Sequence, residues 1–390
     1  MFLEAEKQAI VRGIREFAER EIGPRAAQFD REERVHRDLL EAMADLHFFG
    51  GVVPEELGGL GLDYVTYAEL IEEMSKVDHI IATLISLPSG LVGAAIQEYG
   101  TVEQKDRWLR PLAEGRIFGA AGVTEPDSGS DVSAMTTTYR RDGDDFVING
   151  AKAWISQLEI CSFVLTFATS DRSLRHRGVT AFLIPADTPG LGLHPYKEKL
   201  GFRPLSTGDV VLDDVRVPAD AVLGEEGEGF RVAMTAVERG RLGVAARAAG
   251  VAQACLDDSV AYAKERNAFG QPIANFQIVQ SQITDMAVGA LTARLLVRDC
   301  AARMDRGEPA REVTSMAKMY ASNVAMKSAT DAVQIHGAAG TSVDHRVSRL
   351  FRDAKVLQLV EGSNDLHRAL IGEIELGLRA DKRVGNSAGG

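Results

Sequence analysis

Apolar residues recur with the period of an amphipathic helix, about 3.6 residues, over most of the first 117 residues. One such stripe comprises Ile10, Ile14 and Phe17. A second stripe follows a glycine-rich break at 58–61 and comprises Tyr67, Leu70, Ile71 and Met74. Thr101 and Gln104 have the spacing of a capping box, which predicts the start of a further helix. The pattern predicts an all-α segment over residues 1–117.

The pattern changes near Phe118, where short β-rich runs replace the helical period. These runs cover residues 146–148, 163–168, 179–184 and 210–217. Turn signals bound them, and the dipeptides Asp142-Gly143 and Asn149-Gly150 each predict a turn beside the first run. Helical patterns do not alternate with the runs, so residues 118–223 are predicted to form an antiparallel sheet or barrel and not a βαβ fold.

Long helical patterns return after Gly224. Residues 228–266 contain no proline, a further pattern follows Pro309, and the last ends near Leu378. Between them runs a narrow apolar stripe with spacings of four and three residues, formed by Val279, Ile283, Met286, Ala290, Ala293 and Val297. We expect a four-helix bundle over residues 224–380, followed by a disordered tail at 381–390. The fold class is therefore α+β multidomain, with an all-α domain, a β-barrel domain and a helical bundle.

Composition and charge narrow the function. The net charge of −12 argues against a nucleic-acid partner, because phosphate binding needs a basic surface. Three widely separated cysteines, Cys161, Cys255 and Cys300, suit a reducing compartment, so we expect a cytoplasmic protein. The start of the chain does not have the features of a secretory signal. The most apolar stretch, residues 80–96, is interrupted by Pro88 and Gly90 and is predicted not to span a membrane.

Common catalytic motifs are missing from the sequence. It contains no G-x-G-x-x-G, no P-loop lysine motif, no H-E-x-x-H and no G-x-S-x-G. Its eight histidines do not have the spacing of metal ligands, so no metal site is predicted. The protein is therefore not expected to be a nucleotide-dependent dehydrogenase, a kinase, a hydrolase or a zinc enzyme.

Glu361 is the strongest candidate for a catalytic group. It follows an apolar run, 356–360, and precedes the small residues Gly362 and Ser363. A carboxylate held against apolar groups loses hydration, so its pKa and its basicity rise. Ser363 can begin a helix and offer backbone N–H groups to a ligand. The same residues also fit an ordinary joint between two helices with a surface glutamate.

Three other segments have the composition of ligand-binding loops. Residues 123–131, VTEPDSGSD, are rich in hydroxyl groups and small residues, which suits the polar edge of a flat heterocycle but also a surface turn. Trp154 and Ser156 could stack on a ring and bond its heteroatom, although a tryptophan also serves as core. Arg266 could bind a pyrophosphate or satisfy the end of a helix.

Taken together, these segments resemble the acyl-CoA dehydrogenase family over residues 6–378. Six motifs occur in the family's order and at similar spacing, namely VTEPDSGSD, NGAKAWIS, LGEEGEGF, ERNAFGQPIANFQ, DAVQIHG and RDAK followed by EGSND. The resemblance implies a helical domain, a β-barrel domain and a four-helix bundle, as the pattern itself predicts. It also implies FAD as cofactor and an acyl thioester, usually acyl-CoA, as substrate.

The resemblance assigns roles to individual residues. Glu361 matches the catalytic base. Positions that match contacts to FAD are Val123, Thr124, Ser130, Trp154, Ser156, Arg266, Phe269, Gln277, Gln334, Gly337, Ser363 and Asp365. Positions that match contacts to the substrate are Ser130, Glu238, Arg241 and Glu361. In the family, residues matching Arg266, Phe269 and Gln277 reach the FAD of a neighbouring subunit, which implies a homo-oligomer, usually a tetramer.

The implied reaction is removal of the substrate α-proton by Glu361 and of a β-hydride by flavin N5, which leaves an enoyl thioester. The resemblance also implies electron-transfer flavoprotein as the electron acceptor. Several alternatives stay open: a substrate carried on acyl carrier protein, desaturation at the γ,δ position, an O₂-using oxidase, or an assembly protein without activity.

The sequence departs from common family patterns at a few positions. Val360 replaces a frequent tyrosine, Asp365 a glutamate or glutamine, and Ala338 a glycine. Ala82 falls near the position where glutaryl-type members have an arginine for a distal carboxylate, which argues against a dicarboxyl substrate.

Overall fold

The computed structural model describes residues 3–379, and the tail predicted to be disordered, 381–390, lies outside this range. The first part of the chain is helical, as predicted. Its helices are α1 (Glu4–Phe17), α2 (Ala26–Glu32), α3 (Arg37–Asp45), α4 (Tyr64–Val77), α5 (His79–Ser89), α6 (Val92–Tyr99), α7 (Val102–Gln104) and α8 (Arg110–Ala113). The predicted capping box begins α7, where the Gln104 N–H donates to Thr101 Oγ1 at 3.2 Å and the Thr101 N–H donates to Gln104 Oε1 at 3.1 Å.

Helices α5 and α6 form the most apolar part of the protein. By length and composition alone the segment His79–Tyr99 could cross a membrane, in spite of the interruptions at Pro88 and Gly90. However, 89% of its most apolar window is buried inside the protein. Ile81, Ile85 and Ile96 are fully enclosed by other side chains. The segment is therefore a core element, since its apolar surface already packs against protein.

The middle of the chain is an eight-stranded sheet. Its strands are β1 (Gly119–Gly122), β2 (Thr138–Asp142), β3 (Asp145–Ile155), β4 (Phe163–Thr169), β5 (Val179–Pro185), β6 (Leu191–Pro195), β7 (Gly208–Pro218) and β8 (Val222–Leu223). The strand order is β6-β7-β3-β2-β4-β5-β8, with β1 beside β4. Most pairs are antiparallel, as predicted, but β1 and β2 each pair with β4 in parallel. Within residues 3–379, β6 and β8 do not pair with each other, so the sheet is not a closed barrel.

One of the two predicted turns is wrong. β2 and β3 form a hairpin at Gly143, as predicted, with Asp142 opposite Asp145. Asn149-Gly150 lies instead inside β3, at a shift in its register with β7. Gly150 has φ +148°, and a Cβ there would lie 2.6 Å from Thr137 Oγ1, so this glycine permits an irregular strand and not a reversal of the chain.

The last part of the chain is a helical bundle joined by a small β-hairpin. Its elements are α9 (Gly229–Glu265), β9 (Asn267–Ala268), β10 (Gln271–Pro272), α10 (Gln277–Asp305), α11 (Arg311–His336), α12 (Arg346–Leu357) and α13 (Asn364–Glu375). The predicted apolar stripe of α10 packs inward, with Met286, Ala290, Ala293 and Val297 buried. The fourth bundle element is not one helix, because the segment that contains Glu361 separates α12 from α13.

Helix α9 connects the parts of the molecule. It packs along α10 and α11 in the bundle, along α4, α5 and α6 of the N-terminal helices, and against β5 of the sheet. Its middle portion, residues 242–255, is almost completely buried and rich in alanine and glycine. These small residues let the surrounding helices approach closely. A polar group on this portion of α9 must therefore have a structural or functional partner.

Candidate active site around Glu361

Glu361 lies in the turn between α12 and α13, where its backbone is left-handed with φ +54°. A residue other than glycine in this region costs free energy and persists only where its surroundings fix it. Ser363 ends the turn as the N-cap of α13, because its Oγ accepts from the Leu366 N–H at 3.3 Å. The predicted helix start is thus confirmed.

Lys318 of α11 holds this turn in place. Its Nζ donates to the carbonyl oxygens of Gln358 and Gly362, at 3.1 and 2.7 Å, and to Asn364 Oδ1 at 2.9 Å. The side chain is fully buried, and burial lowers its pKa to about 7. Because its partners lie on both sides of Glu361, Lys318 fixes the course of the backbone through the left-handed residue.

Two further groups bind the Glu361 carbonyl oxygen. Arg241 Nε of α9 donates to it at 3.4 Å, and His367 Nε2 of α13 lies 3.2 Å from it. Burial lowers the pKa of His367 to about 3, so this imidazole is neutral at ordinary pH. The backbone of Glu361 is therefore held from three helices.

The Glu361 carboxyl group lies against the backbone of α9. A Cβ added to Gly240 would be 3.1 Å from Glu361 Cδ and 3.3 Å from each carboxyl oxygen. Burial raises the pKa of Glu361 to about 7, although the charges of Arg247, Arg241 and Lys318 act in the opposite direction. The carboxyl group can therefore gain or lose a proton near neutral pH, as a general base requires.

The predicted substrate residues of α9 are buried beside this turn. Glu238 forms an ion pair with Arg311 of α11. Arg241, besides its bond to the Glu361 carbonyl, donates to Ser315 Oγ at 3.3 Å. The structure thus brings Arg241 and Glu361 into contact. Glu238 lies three residues before Arg241 on α9 and pairs with Arg311 instead.

The loop at residues 123–131 is fixed to β3. The Ala153 N–H donates to the Thr124 carbonyl at 2.9 Å, and Lys152 Nζ forms a fully buried ion pair with Glu125 at 2.8 Å. Burial acts to raise the pKa of Glu125, but Lys152 and bonds from Thr136 and Thr137 outweigh it and hold this pKa at about 2. Val123 and Thr124 are half-buried and Ser130 is exposed. The loop is thus rigid at its base and accessible at its polar end.

Trp154 and Ser156 lie at the end of β3. Trp154 has a left-handed backbone, φ +62°, and 64% of its surface is exposed. The edge of its ring meets Tyr196, with ring centroids 5.0 Å apart. Ser156 is half-buried, with its Oγ 3.5 Å from Thr207 Oγ1. An exposed indole held in a strained backbone, with hydroxyl groups beside it, fits the face and edge of a flat heterocycle such as a flavin ring.

A second group of predicted cofactor residues lies at one end of the bundle. It comprises Arg266, Phe269, Gln277, Gln334 and Gly337, all of which are exposed. Phe269 has φ +51° and is 95% exposed, and it lines a groove together with Gln334. Within residues 3–379 the Arg266 guanidinium group has no hydrogen bond or ion pair. An open aromatic ring and an unpaired guanidinium group fit the adenine and pyrophosphate of a dinucleotide.

These residues therefore fall into separate groups. No hydrogen bond or ring contact within residues 3–379 joins the bundle-end group to Thr124, Trp154 or Ser156. Asp365 is also outside the Glu361 cluster, because it is exposed and its carboxylate pairs with Arg368 at 2.9 Å.

Sequence reasoning missed Gly240, Arg247 and Lys318. Each is close to Glu361 in space and at least 43 positions away in the chain. The available signal was a lone charged residue in a run of small ones, such as Arg247 in VAARAAG or Lys318 in MAKMYA. A cation in an apolar helical segment needs a partner, but the sequence does not identify which partner.

Family models cover almost all of this architecture. The acyl-CoA dehydrogenase N-terminal, middle and C-terminal domains match residues 4–116, 120–215 and 227–376 respectively. The chain therefore belongs to the acyl-CoA dehydrogenase family, whose members are FAD-dependent oxidoreductases. The predicted family, three-part fold and cofactor are confirmed, and the boundaries at 117, 223 and 380 stay predictions.

Individual relatives agree with this assignment. The short-chain specific acyl-CoA dehydrogenase of Bos taurus mitochondria is 40% identical over 93% of this chain and 88% of its own length. The structure of butyryl-CoA dehydrogenase from Megasphaera elsdenii is 35% identical, covers 96% of this chain and 99% of its own, and has a TM-score of 0.92. A solved chain from work on the electron transferring flavoprotein of Acidaminococcus fermentans is 38% identical, with coverages of 96% and 99% and a TM-score of 0.93.

Proposed function

We propose that this protein dehydrogenates an acyl thioester to the 2,3-enoyl thioester, with Glu361 as the base that removes the α-proton. The observation that carries the proposal is the Glu361 carboxyl group over Gly240, with a pKa near 7. A carboxylate of that basicity accepts a proton from carbon more readily than an exposed glutamate does. FAD, when bound, supplies the oxidising step by accepting the hydride.

The substrate α-proton is weakly acidic, so the thioester carbonyl must also be polarised. The Glu361 backbone N–H has no hydrogen-bond partner within residues 3–379 and is free to donate to that carbonyl. Arg241 and Lys318 fix this N–H and the carboxyl group on the same turn. Ser130 and Glu238 are the other residues that we assign to the substrate.

We assign the FAD contacts to the two groups of residues described above. Val123, Thr124, Ser130, Trp154 and Ser156 suit the flavin ring, because they combine an exposed indole with hydroxyl and backbone groups. Ser363 and Asp365 are assigned to the same cofactor from α13. The bundle-end residues Arg266, Phe269, Gln277, Gln334 and Gly337 suit the adenosine and pyrophosphate half.

The separation of the two groups supports a homo-oligomer. If the bundle end of one copy completes the FAD site of another, the exposed Phe269 ring and the free Arg266 guanidinium group gain partners on assembly. The electron acceptor that we propose is an electron-transfer flavoprotein, consistent with the Acidaminococcus fermentans relative. The similarity to short-chain and butyryl-CoA enzymes supports a short acyl group, on CoA in preference to carrier protein.

Anaerobic mixing with butyryl-CoA tests the proposal through the flavin absorbance. The wild-type protein, purified yellow, should lose its flavin absorbance. Glu361→Gln should retain stoichiometric FAD and show about a hundredfold to ten-thousandfold slower loss, since general bases contribute about 10²–10⁴-fold. Glu375→Gln, an exposed glutamate at the end of α13, is the matched control and should behave as wild type.

Two results would contradict the proposal. Reduction of Glu361→Gln at the wild-type rate would show that another group is the base. A colourless wild-type protein that does not take up FAD would argue for a protein without redox activity.

A further inference from the structure

Arg247 is a buried cation that the proposed mechanism does not use. It lies in the middle of α9 with 5% of its surface accessible. Its Nε donates to the Gly243 carbonyl at 3.3 Å, and one terminal nitrogen donates to Thr83 Oγ1 of α5. Its guanidinium group also lies 6.0 Å from the centre of the Phe202 ring.

All of these partners are neutral. No acidic side chain within residues 3–379 forms an ion pair with Arg247, and the remaining terminal nitrogen has no hydrogen-bond partner there. Burial lowers the pKa of Arg247 to about 10, although the charge of Glu361, which makes no direct contact with it, acts in the opposite direction. A buried charge without a counter-ion costs several kcal/mol, and arginine does not lose its proton to avoid this cost.

Arg247 and Gly240 lie on the same face of α9, since they are seven residues apart. The arginine side chain turns back toward the start of the helix, as its bond to the Gly243 carbonyl shows. Its guanidinium group is therefore about 5 Å beyond Gly240 along the helix axis, at about 1.5 Å per residue. This is the reach of a short acyl chain that begins at the Glu361 carboxyl group.

The site as a whole has an excess of positive charge. Apart from the Glu238–Arg311 pair, three cations, Arg241, Arg247 and Lys318, act on one carboxylate, Glu361. If Lys318 and Glu361 are both neutral, two positive charges remain, and if both are charged the excess is still two. An anionic ligand would relieve this excess, whereas a purely apolar acyl chain would not.

We infer that Arg247 binds a carboxylate at the far end of the acyl group, so that the substrate is a short dicarboxylic acid bound as its monothioester. The inference rests on the proposed function and adds the substrate class. Ala82 shows only that α5 does not supply an arginine for such a carboxylate. The neighbouring residue, Thr83, meets Arg247, so α9 provides an arginine where α5 has none.

The test compares two thioesters of equal carbon number, glutaryl-CoA and valeryl-CoA. Dissociation constants are measured calorimetrically on the FAD-loaded Glu361→Gln enzyme, which holds the substrate without converting it. We expect glutaryl-CoA to bind at least about tenfold more tightly, because a hydrogen bond to a charged group contributes about 1.5–3 kcal/mol. Adding Arg247→Gln should remove this preference, and adding Arg247→Lys should retain part of it. Equal binding of the two thioesters, or equal losses for both in Arg247→Gln, would overturn the inference.

Turnover of the wild-type enzyme separates this inference from the proposed function. Flavin reduction by glutaryl-CoA in preference to valeryl-CoA supports both. Reduction by valeryl-CoA alone overturns the inference of a dicarboxylic substrate but agrees with the proposed dehydrogenase activity. If glutaryl-CoA, valeryl-CoA and butyryl-CoA all fail to reduce the flavin, the proposed function itself is contradicted. Flavin content and melting temperature of each variant show whether it is folded. If Arg247→Gln does not fold, Arg247→Lys replaces it in the binding test. A preference for glutaryl-CoA that is smaller than with Arg247 present supports the inference, and an unchanged preference overturns it.

Discussion

The carboxyl group of Glu361 rests on the Cα of Gly240, a residue of α9 that has no side chain to keep it away. The first prediction concerns this contact. In Gly240→Ala the new methyl group would lie 3.1 Å from Glu361 Cδ, closer than carbon atoms normally pack, so the carboxyl group must move. Because a small displacement of a catalytic group costs about 10²-fold, we expect kcat to fall about 10–100-fold with FAD content unchanged.

Gly372→Ala is the matched control for this variant. Gly372 lies on α13, near Glu361 in the chain, and a Cβ there meets no atom within 4 Å. Stopped-flow flavin reduction should therefore be normal in Gly372→Ala and slow in Gly240→Ala. Normal reduction in Gly240→Ala would mean that Glu361 does not act from the position seen over α9.

The second prediction concerns pH, because burial raises the pKa of Glu361 from 4.5 to about 7. The base is active when ionised, so kcat/KM should rise as the pH increases through about 7 and then become constant.

The same pKa shift affects stability. The folded protein binds an extra proton between pH 4.5 and 7, and this favourable contribution to the free energy of unfolding is lost as the pH rises through 7. Glu361→Gln should therefore match the wild-type stability near pH 4 and exceed it by about 1–3 kcal/mol at pH 8.

Denaturant unfolding at a series of pH values measures this difference. Glu375→Gln, whose carboxylate is exposed, should show no comparable rise. A Glu361→Gln curve parallel to that of the wild type from pH 4 to 8 would show that the folded environment does not raise the pKa of this group.

The sequence was sufficient for much of the fold and for singling out Glu361, whose role as the base stays a prediction. Helical periodicity and β-rich runs are local signals, and they locate α4, β4, β5 and α10 within a few residues. The turn predicted at Asn149-Gly150 is wrong because that signal is also local. A dipeptide preference cannot detect that β3 continues past a register shift opposite β7. The split between α12 and α13 coincides with Glu361, whose left-handed backbone interrupts the helical pattern.

What the sequence could not provide is the surroundings of Glu361. Gly240, Arg247 and Lys318 come from two other helices, and their effect on the pKa of Glu361 depends on three-dimensional packing. Glu361, Trp154 and Phe269 all have left-handed backbones, which no residue preference predicts. All three residues are among those that we assign to catalysis or cofactor binding. Seven further residues other than glycine within residues 3–379 also have a positive φ, so the conformation supports an assignment only together with the contacts of the residue.

The third prediction concerns the buried pair of Glu125 and Lys152, which fixes the loop at 123–131 to β3. Lys152→Met would leave the Glu125 carboxylate buried without its counter-ion. Breaking a buried pair in this way costs about 3–5 kcal/mol, so we expect a large fall in stability and loss of FAD on gel filtration. The double variant Glu125→Gln/Lys152→Met removes both charges and should recover part of the stability, because no unpaired charge remains.

Unfolding free energies and FAD content of the two single variants and the double variant form a mutant cycle. The wild-type pair should also be sensitive to acid, since the pKa of Glu125 is held at about 2 and its stabilising effect is lost only as the pH falls toward that value. If Lys152→Met were as stable and as yellow as wild type, the hydrogen bonds from Thr136 and Thr137 would suffice to hold the loop. The ion pair would then have no part in forming the flavin site.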